Sequence, residues 1–243
     1  MKLTKIFATT AALGLFTLAS CGAESLGGMS YKEYMDAELQ AEVKIDAYIQ
    51  DRCTWYNGAA SFYLQDEEGG YYVYNLKCSK DDYDNNLSVG KFISVTGSKA
   101  EWRGEVEING DVATENQGFT VGSSSKIYKA TQVANIAKDT LDQHKNTKVM
   151  VTDLTVTKAP YTSFDDFSLS PNSGVDVYFA VKDSNDNELT FVVEAYLEST
   201  QFGSPTYTTV TSLALGDKIN LEGFVYYWDV PQLQVTKVVK ADN

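Results

Sequence analysis

The sequence predicts a mainly β protein built as two tandem units of five short antiparallel strands, each preceded by a short helix. The first observation is a repeat: LSVGKFISVTGSKAEW, 87–102, returns as LALGDKINLEGFVYYW, 213–228, with Leu, Gly, Ile, Gly and Trp at the same offsets and no gap. The second is alternation. In EVKIDAYIQ, 42–50, Val43, Ile45, Ala47 and Ile49 face one way and the polar residues the other, as in a half-buried strand. The third is a set of aromatic and β-branched runs broken by acidic, Gly- or Asn-rich joints, the pattern of hairpins.

Taken in order, Ser30 with Glu33 three residues on opens SYKEYMDAEL as a capped helix. EVKIDAYIQ is the first strand. ASFYLQDEEGGYYVYNLKC, 60–78, is a hairpin of two strands turning at Asp66–Gly70. The repeated block adds a fourth strand, Phe92 to Lys99, and GEVEI, Gly104 to Ile108, a fifth. VGSSSK, 121–126, reads as the flexible joint between units. TQVANIAKDTLDQ, 131–143, places Val133, Ile136, Ala137 and Leu141 at helical spacing. The second unit follows the first: KVMVTDLTV with Val149, Val151 and Leu154 as core, a hairpin in VYFAVKDSNDNELTFVVEAYL, then GDKINLEGFVYYWDVPQLQV. Phe62-Tyr63-Leu64-Gln65-Asp66 aligns with Phe179-Ala180-Val181-Lys182-Asp183.

Five strands with a long second-to-third hairpin and a bent first region resemble the OB-fold, a small Greek-key barrel. The resemblance covers about 43–112 and 148–240 and implies two OB-like barrels, one in residues 30–128 and one in 129–243.

Lys2 and Lys5, then an apolar run from Ile6 to Leu18, have the layout of a secretory signal over residues 1–20. Leu18-Ala19-Ser20-Cys21 resembles the bacterial lipobox, which implies a diacylglycerol on the Cys21 thiol and a tether over 21–29. The tandem arrangement behind it resembles uncharacterised lipoproteins of Gram-positive and wall-less bacteria. The expected location is the extracytoplasmic face of the cell membrane, held by lipid. With Cys21 so used, Cys53 and Cys78 remain as an even pair in an oxidising compartment. They follow strands one and three, whose C-terminal ends share one barrel end, so a Cys53–Cys78 disulfide is expected.

The chain offers little to a catalyst. Its one histidine, His144, lies in a polar stretch, so neither a usual nucleophilic triad nor a histidine metal site can be assembled. No phosphate-cradling glycine loop follows a strand. DSNDNE, 183–188, has oxygen ligands at alternate positions but lacks the glycine and distal glutamate of a calcium loop. The expectation is therefore a binding protein, with no catalytic residue, cofactor or metal site.

Aromatic placement points to the binding surface. Trp55 stands in the loop after strand one, and Trp102 and Trp228 stand where strand four turns into strand five. Tyr63 alternates out of phase with Phe62 and Leu64, and Tyr72 lies on the adjoining strand. In OB-folds these loops flank the ligand face of strands two and three. Trp55, Tyr63 and Trp102 are thus expected to converge; the alternative is that Trp102 and Trp228 plug barrel ends or pack one domain on the other. The net charge is −13, and losing Lys2 and Lys5 makes it −15. Residues 43–110 hold seven basic against eleven acidic residues, and 148–240 six against twelve. Aromatics without a basic groove lead to the expectation of a protein or glycan partner outside the cell, with nucleic acid unlikely. A structural or envelope-assembly role and an accessory role to an extracellular enzyme or nuclease are the alternatives.

Overall fold

A computed structural model describes residues 24–111, 118–162 and 175–241. The first unit begins with helix α1 (Tyr31–Asp36), whose N-terminus is closed by the reciprocal Ser30–Glu33 capping box. Its strands are β1 (Glu42–Arg52), β2 (Ala59–Gln65), β3 (Gly70–Lys77), β4 (Lys91–Trp102) and β5 (Glu105–Asn109), with helix α2 (Lys80–Asn85) between β3 and β4. Pairing runs β1–β2–β3–β5–β4 and back to β1, a closed five-stranded barrel, antiparallel except for β3 with β5. The circuit closes because β1 is long enough to serve two neighbours. Glu42–Tyr48 pairs with β4 and Tyr48–Arg52 with β2, with a bulge at Gln50 where the strand bends.

The second unit repeats this circuit. After β6 (Gly118–Ser125), β7 (Thr131–Gln132) and helix α3 (Lys138–Leu141) come β8 (Lys148–Tyr161), β9 (Val177–Lys182), β10 (Glu188–Val193), helix α4 (Pro205–Thr211), β11 (Lys218–Trp228) and β12 (Val230–Lys240). They pair β8–β9–β10–β12–β11 and back to β8, again with one parallel contact, β10 with β12. This is the OB topology twice, with a helix between the third and fourth strands each time.

Every repeated letter has a structural duty. Leu87 and Leu213, and Ile93 and Ile219, are core residues. Gly90 and Gly216 stand at φ +92° and +85°, a turn conformation that a side chain strains. Gly97 and Gly223 let strand four pass close to strand five: a Cβ there would stand 2.8 Å from the Asn109 carbonyl oxygen or 2.6 Å from that of Gln234.

Several local expectations are corrected. The stretch 121–126 is not a free joint. Val121–Ser125 belongs to β6, which pairs with β4, and the Glu24 carboxylate accepts from the Ser123 and Ser124 amides. Residues 131–143 form a short strand, α3 with Ala137 as its N-cap, and the start of a 3-10 turn rather than one helix, although Val133, Ile136 and Leu141 do enter the second core. DSNDNE, by contrast, is the hairpin turn expected of it. The Asp183 carboxylate is engaged by the amides of Ile136, Asn185 and Asn187, as Asp66 is by Glu68 and Gly69 in the first repeat.

Cys53 and Cys78 are free thiols rather than a disulfide. Strands one and three do end at one side, but β2 lies between them, about two strand spacings or roughly 9–10 Å across, beyond disulfide reach. The two residues also face different ways: Cys78 belongs to the first barrel's core, and Cys53 packs against the second barrel. Burial pushes the Cys78 thiol up to about 11 and holds the Cys53 thiol well above its usual range, so neither is a ready nucleophile. Mass mapping without reductant is expected to recover both thiols free, and the melting temperature should not move on adding dithiothreitol. A cross-linked 53–78 peptide pair would refute this.

Candidate functional site

Between the two closed cores lies a third, small cluster of Tyr63, Tyr72, Leu197 and Phe224, with Cys53 and Tyr226 against it. Alternation along β2 sends Phe62 and Leu64 inward and Tyr63 outward, but outward here means onto the second barrel. The Tyr63 ring stacks on Phe224 with centroids 4.0 Å apart and planes within 3°. Its hydroxyl donates to Gln234 Oε1, and Gln234 Nε2 donates to Glu194 Oε1 at 2.6 Å. At one side, the Thr54 amide donates to the Tyr196 carbonyl at 2.7 Å. Arg52 pairs with Glu198 at 2.7 Å while its guanidinium lies 3.9 Å from the Tyr83 ring centroid. The β2–β3 face of barrel one is therefore a docking face.

At the other side the repeated hairpin tips meet. Arg103 and Asp229 follow the repeated tryptophans, both with positive φ, and pair through two hydrogen bonds, Nε to Oδ1 at 3.0 Å and a second terminal contact. The Asp229 amide donates to the Arg103 carbonyl at 2.7 Å. The Arg103 guanidinium also stacks 4.3 Å from the Trp228 ring centroid. Behind it, the Tyr227 amide donates to Glu105 Oε2 at 2.9 Å.

This contact leaves a cleft of about 550 Å3 between the barrels, lined by Tyr72, Tyr74, Trp102, Tyr226 and Trp228 together with Glu101, Glu107 and Asn109. Trp102 is 58 % exposed and Trp228 47 %, so neither plugs a barrel end, although Trp228 does take part in the contact between the barrels through its stack with Arg103. Tyr72 and Tyr226 meet edge to face with centroids 5.7 Å apart at its base. Tyr72, Trp102 and Trp228 thus share one cleft, whereas Tyr63 is buried beside it. Trp55 stands apart: its Nε1 donates to the Cys78 carbonyl at 3.0 Å, and its ring packs on the first core. His144 closes a short 3-10 turn and is not among the residues lining the cleft.

Sequence reading missed the acidic row. On β5 the residues facing out of the barrel are Glu105, Glu107 and Asn109, and the only trace in sequence is the alternation of GEVEIN. Burial holds Glu105 well above the carboxylate range, an effect that Glu107 reinforces and hydrogen bonding with Asn146 opposes. Desolvation lifts Glu107 to about 7. Among the described residues, no cluster of His, Cys, Asp and Glu side chains could hold a metal ion.

No protein-family model and no curated protein matches the sequence. Solved structures do resemble it. One is a replication protein A heterotrimer bound to single-stranded DNA, 12 % identical over 84 % of this chain, with a TM-score of 0.34; this chain spans half of that one. Another is a murine DNA-binding protein bound with double-stranded DNA, 14 % identical over 82 % of this chain and 99 % of that one, TM-score 0.35. A third is the single-stranded DNA-binding protein of Thermus aquaticus, 13 % identical over 83 % and 94 %, TM-score 0.29. These neighbours bind DNA, which runs against the expectation of a protein or glycan partner with nucleic acid set aside; for this chain the likeness is one of fold. The structure adds its own correction: the strand-two and strand-three face expected to carry the ligand in barrel one is covered by barrel two.

Two expectations follow from this geometry. Phe224→Ala should destabilise by about 3–5 kcal/mol and split the urea transition into one step per barrel; a single unshifted transition would remove the stack from its docking role. Glu105 binds its proton more tightly folded than unfolded, so its contribution is greatest below the ordinary glutamate pKa and is lost as pH rises. Glu105→Gln should flatten the fall of melting temperature as pH rises above the ordinary glutamate range, and an unchanged slope would show that Glu105 is not the group responsible.

Proposed function

We propose that this chain is a lipid-anchored binding protein whose working surface is the cleft between its two barrels, and whose ligand is a small organic molecule. One observation carries the reading: the tryptophan that ends the duplicated hairpin meets its counterpart at the mouth of a single cleft. A duplicated barrel needs no exposed indole to fold. The cleft's volume falls within the range of small-molecule sites, and its lining is aromatic with a few polar groups, as such sites are.

The anchor rests on the Leu18-Ala19-Ser20-Cys21 motif, which lies outside the described residues. Among the described residues no helix is long and apolar enough to cross a membrane. Cys21→Ser is expected to shift the protein from the membrane pellet to the soluble fraction. Unchanged fractionation and processing would end the lipoprotein reading.

The cleft is tested by truncating its walls. Trp102→Ala and Trp228→Ala should each keep the melting temperature within a few degrees, since both side chains are exposed, and each should weaken a cleft ligand by about 2 kcal/mol or more. A library screened by tryptophan fluorescence supplies the ligand, with single- and double-stranded oligonucleotides titrated beside it. Loss of cooperative folding in Trp102→Ala would make that residue core. Saturable quenching by an oligonucleotide would instead assign the cleft to stacked bases.

A further inference from the structure

Glu107 projects from β5 into the cleft opposite Tyr72 of β3 and Ala100 of β4. Only 9 % of the residue is exposed, and among the described residues its carboxylate has neither a hydrogen bond nor an ion pair. A carboxylate so enclosed is costly unless a cation or donors compensate it. None of the side chains lining the cleft is basic. Arg103, at the hairpin tip beside it, is engaged by Asp229 and by the Trp228 ring. What surrounds Glu107 is π surface: Tyr72 and Tyr226 at the base, Tyr74, Trp102 and Trp228 around it, with Glu101 exposed on the same wall.

Acceptors and ring faces with no basic group complement positive charge. They also complement a particular kind of cation. The polar groups of the cleft, Glu101, Glu107, Asn109 and the tyrosine hydroxyls, sit among five aromatic rings, a lining that suits a cation able to rest on ring faces as well as on a carboxylate. An alkylated ammonium gives up little hydration and spreads its charge over methyl groups that rest on ring faces. Resting on the reading of the cleft as the working surface, we propose that it is an aromatic cage for a small quaternary or tertiary ammonium compound, with Glu107 as the counter-ion.

This assignment carries a pH dependence. Burial lifts Glu107 to about 7, so the counter-ion is charged above that pH and neutral below it. The titratable groups around it are Tyr72, Tyr74, Glu101 and Tyr226 in the cleft, Glu105 on its own strand and Tyr34 from the first barrel's core. Tyr34, Tyr72 and Tyr226 stay neutral across this range, burial having raised each. Affinity for an ammonium ligand should therefore fall as pH drops through about 7.

The probes are choline and its uncharged carbon isostere, 3,3-dimethylbutan-1-ol, titrated calorimetrically into the full chain. Choline is expected to bind at least tenfold more tightly than the isostere, and its affinity should weaken severalfold between pH 8 and pH 6 while that of the isostere holds. Glu107→Gln should erase both the preference and the pH dependence; the pH series on the unmutated chain gives the same information if that variant does not fold. Trp102→Ala should weaken both probes. Equal binding of the two probes at every pH would overturn the cation assignment and leave the cleft standing. Choline binding that ignores Trp102→Ala would place the cation elsewhere, and no binding of choline would also reject the proposal. In that last case a neutral library hit that depends on Trp102 still supports the cleft.

Discussion

The stack of Tyr63 on Phe224 fixes the relation between the barrels, and most of the functional surface is a consequence of it. Two flat rings in near-parallel contact tolerate little tilt without losing dispersion and packing. The hydroxyl beyond the stack enters the Gln234–Glu194 pair, so rotation about the ring normal is also restrained. With that centre held, Arg52 and Glu198 meet on one flank and the hairpin tips on the other. The cleft is the space left between a docked centre and a pinned edge. Its walls come from both barrels, so neither barrel has the site alone.

Burial of Tyr63 and Tyr72 changes the meaning of the OB face. A barrel alone would show those rings to solvent as a platform. Here one ring is consumed by docking, while the second keeps one side at the base of the cleft, and the exposed indoles of two fourth strands take over the role of the open wall. The recognition surface has thus moved from a sheet face to the junction between sheets, where carboxylates on β5 supply the polarity.

Alternation and the gapless repeat made the strand order legible, because both depend on local chemistry that a single sequence displays. Val43, Ile45, Ala47 and Ile49 are buried as their spacing demands, and the repeated glycines sit where a side chain would strain the turn or strike a carbonyl. The capping box at Ser30 and Glu33 is likewise a local signal. What failed was information held between elements. Sequence tells which side of a strand Tyr63 occupies but not that another barrel lies there, and it cannot weigh the strand standing between Cys53 and Cys78. The helical spacing of 131–143 marked core residues correctly, yet those residues reach the core mostly from extended chain. Glu107 carried a signal only in hindsight, as one polar position in an alternating run.

The pair Arg103 and Asp229 occupies corresponding positions in the two copies, one turn residue having opposite sign in each. Two first barrels brought tip to tip would set arginine against arginine, and two second barrels aspartate against aspartate. Like charges at that separation repel, while the mixed pair attracts. The duplicated module is consequently a matched couple with polarity rather than an interchangeable unit. Its halves discriminate against their own kind, which favours pairing within one chain and works against the open-ended chaining that a self-complementary, twice-repeated surface would invite.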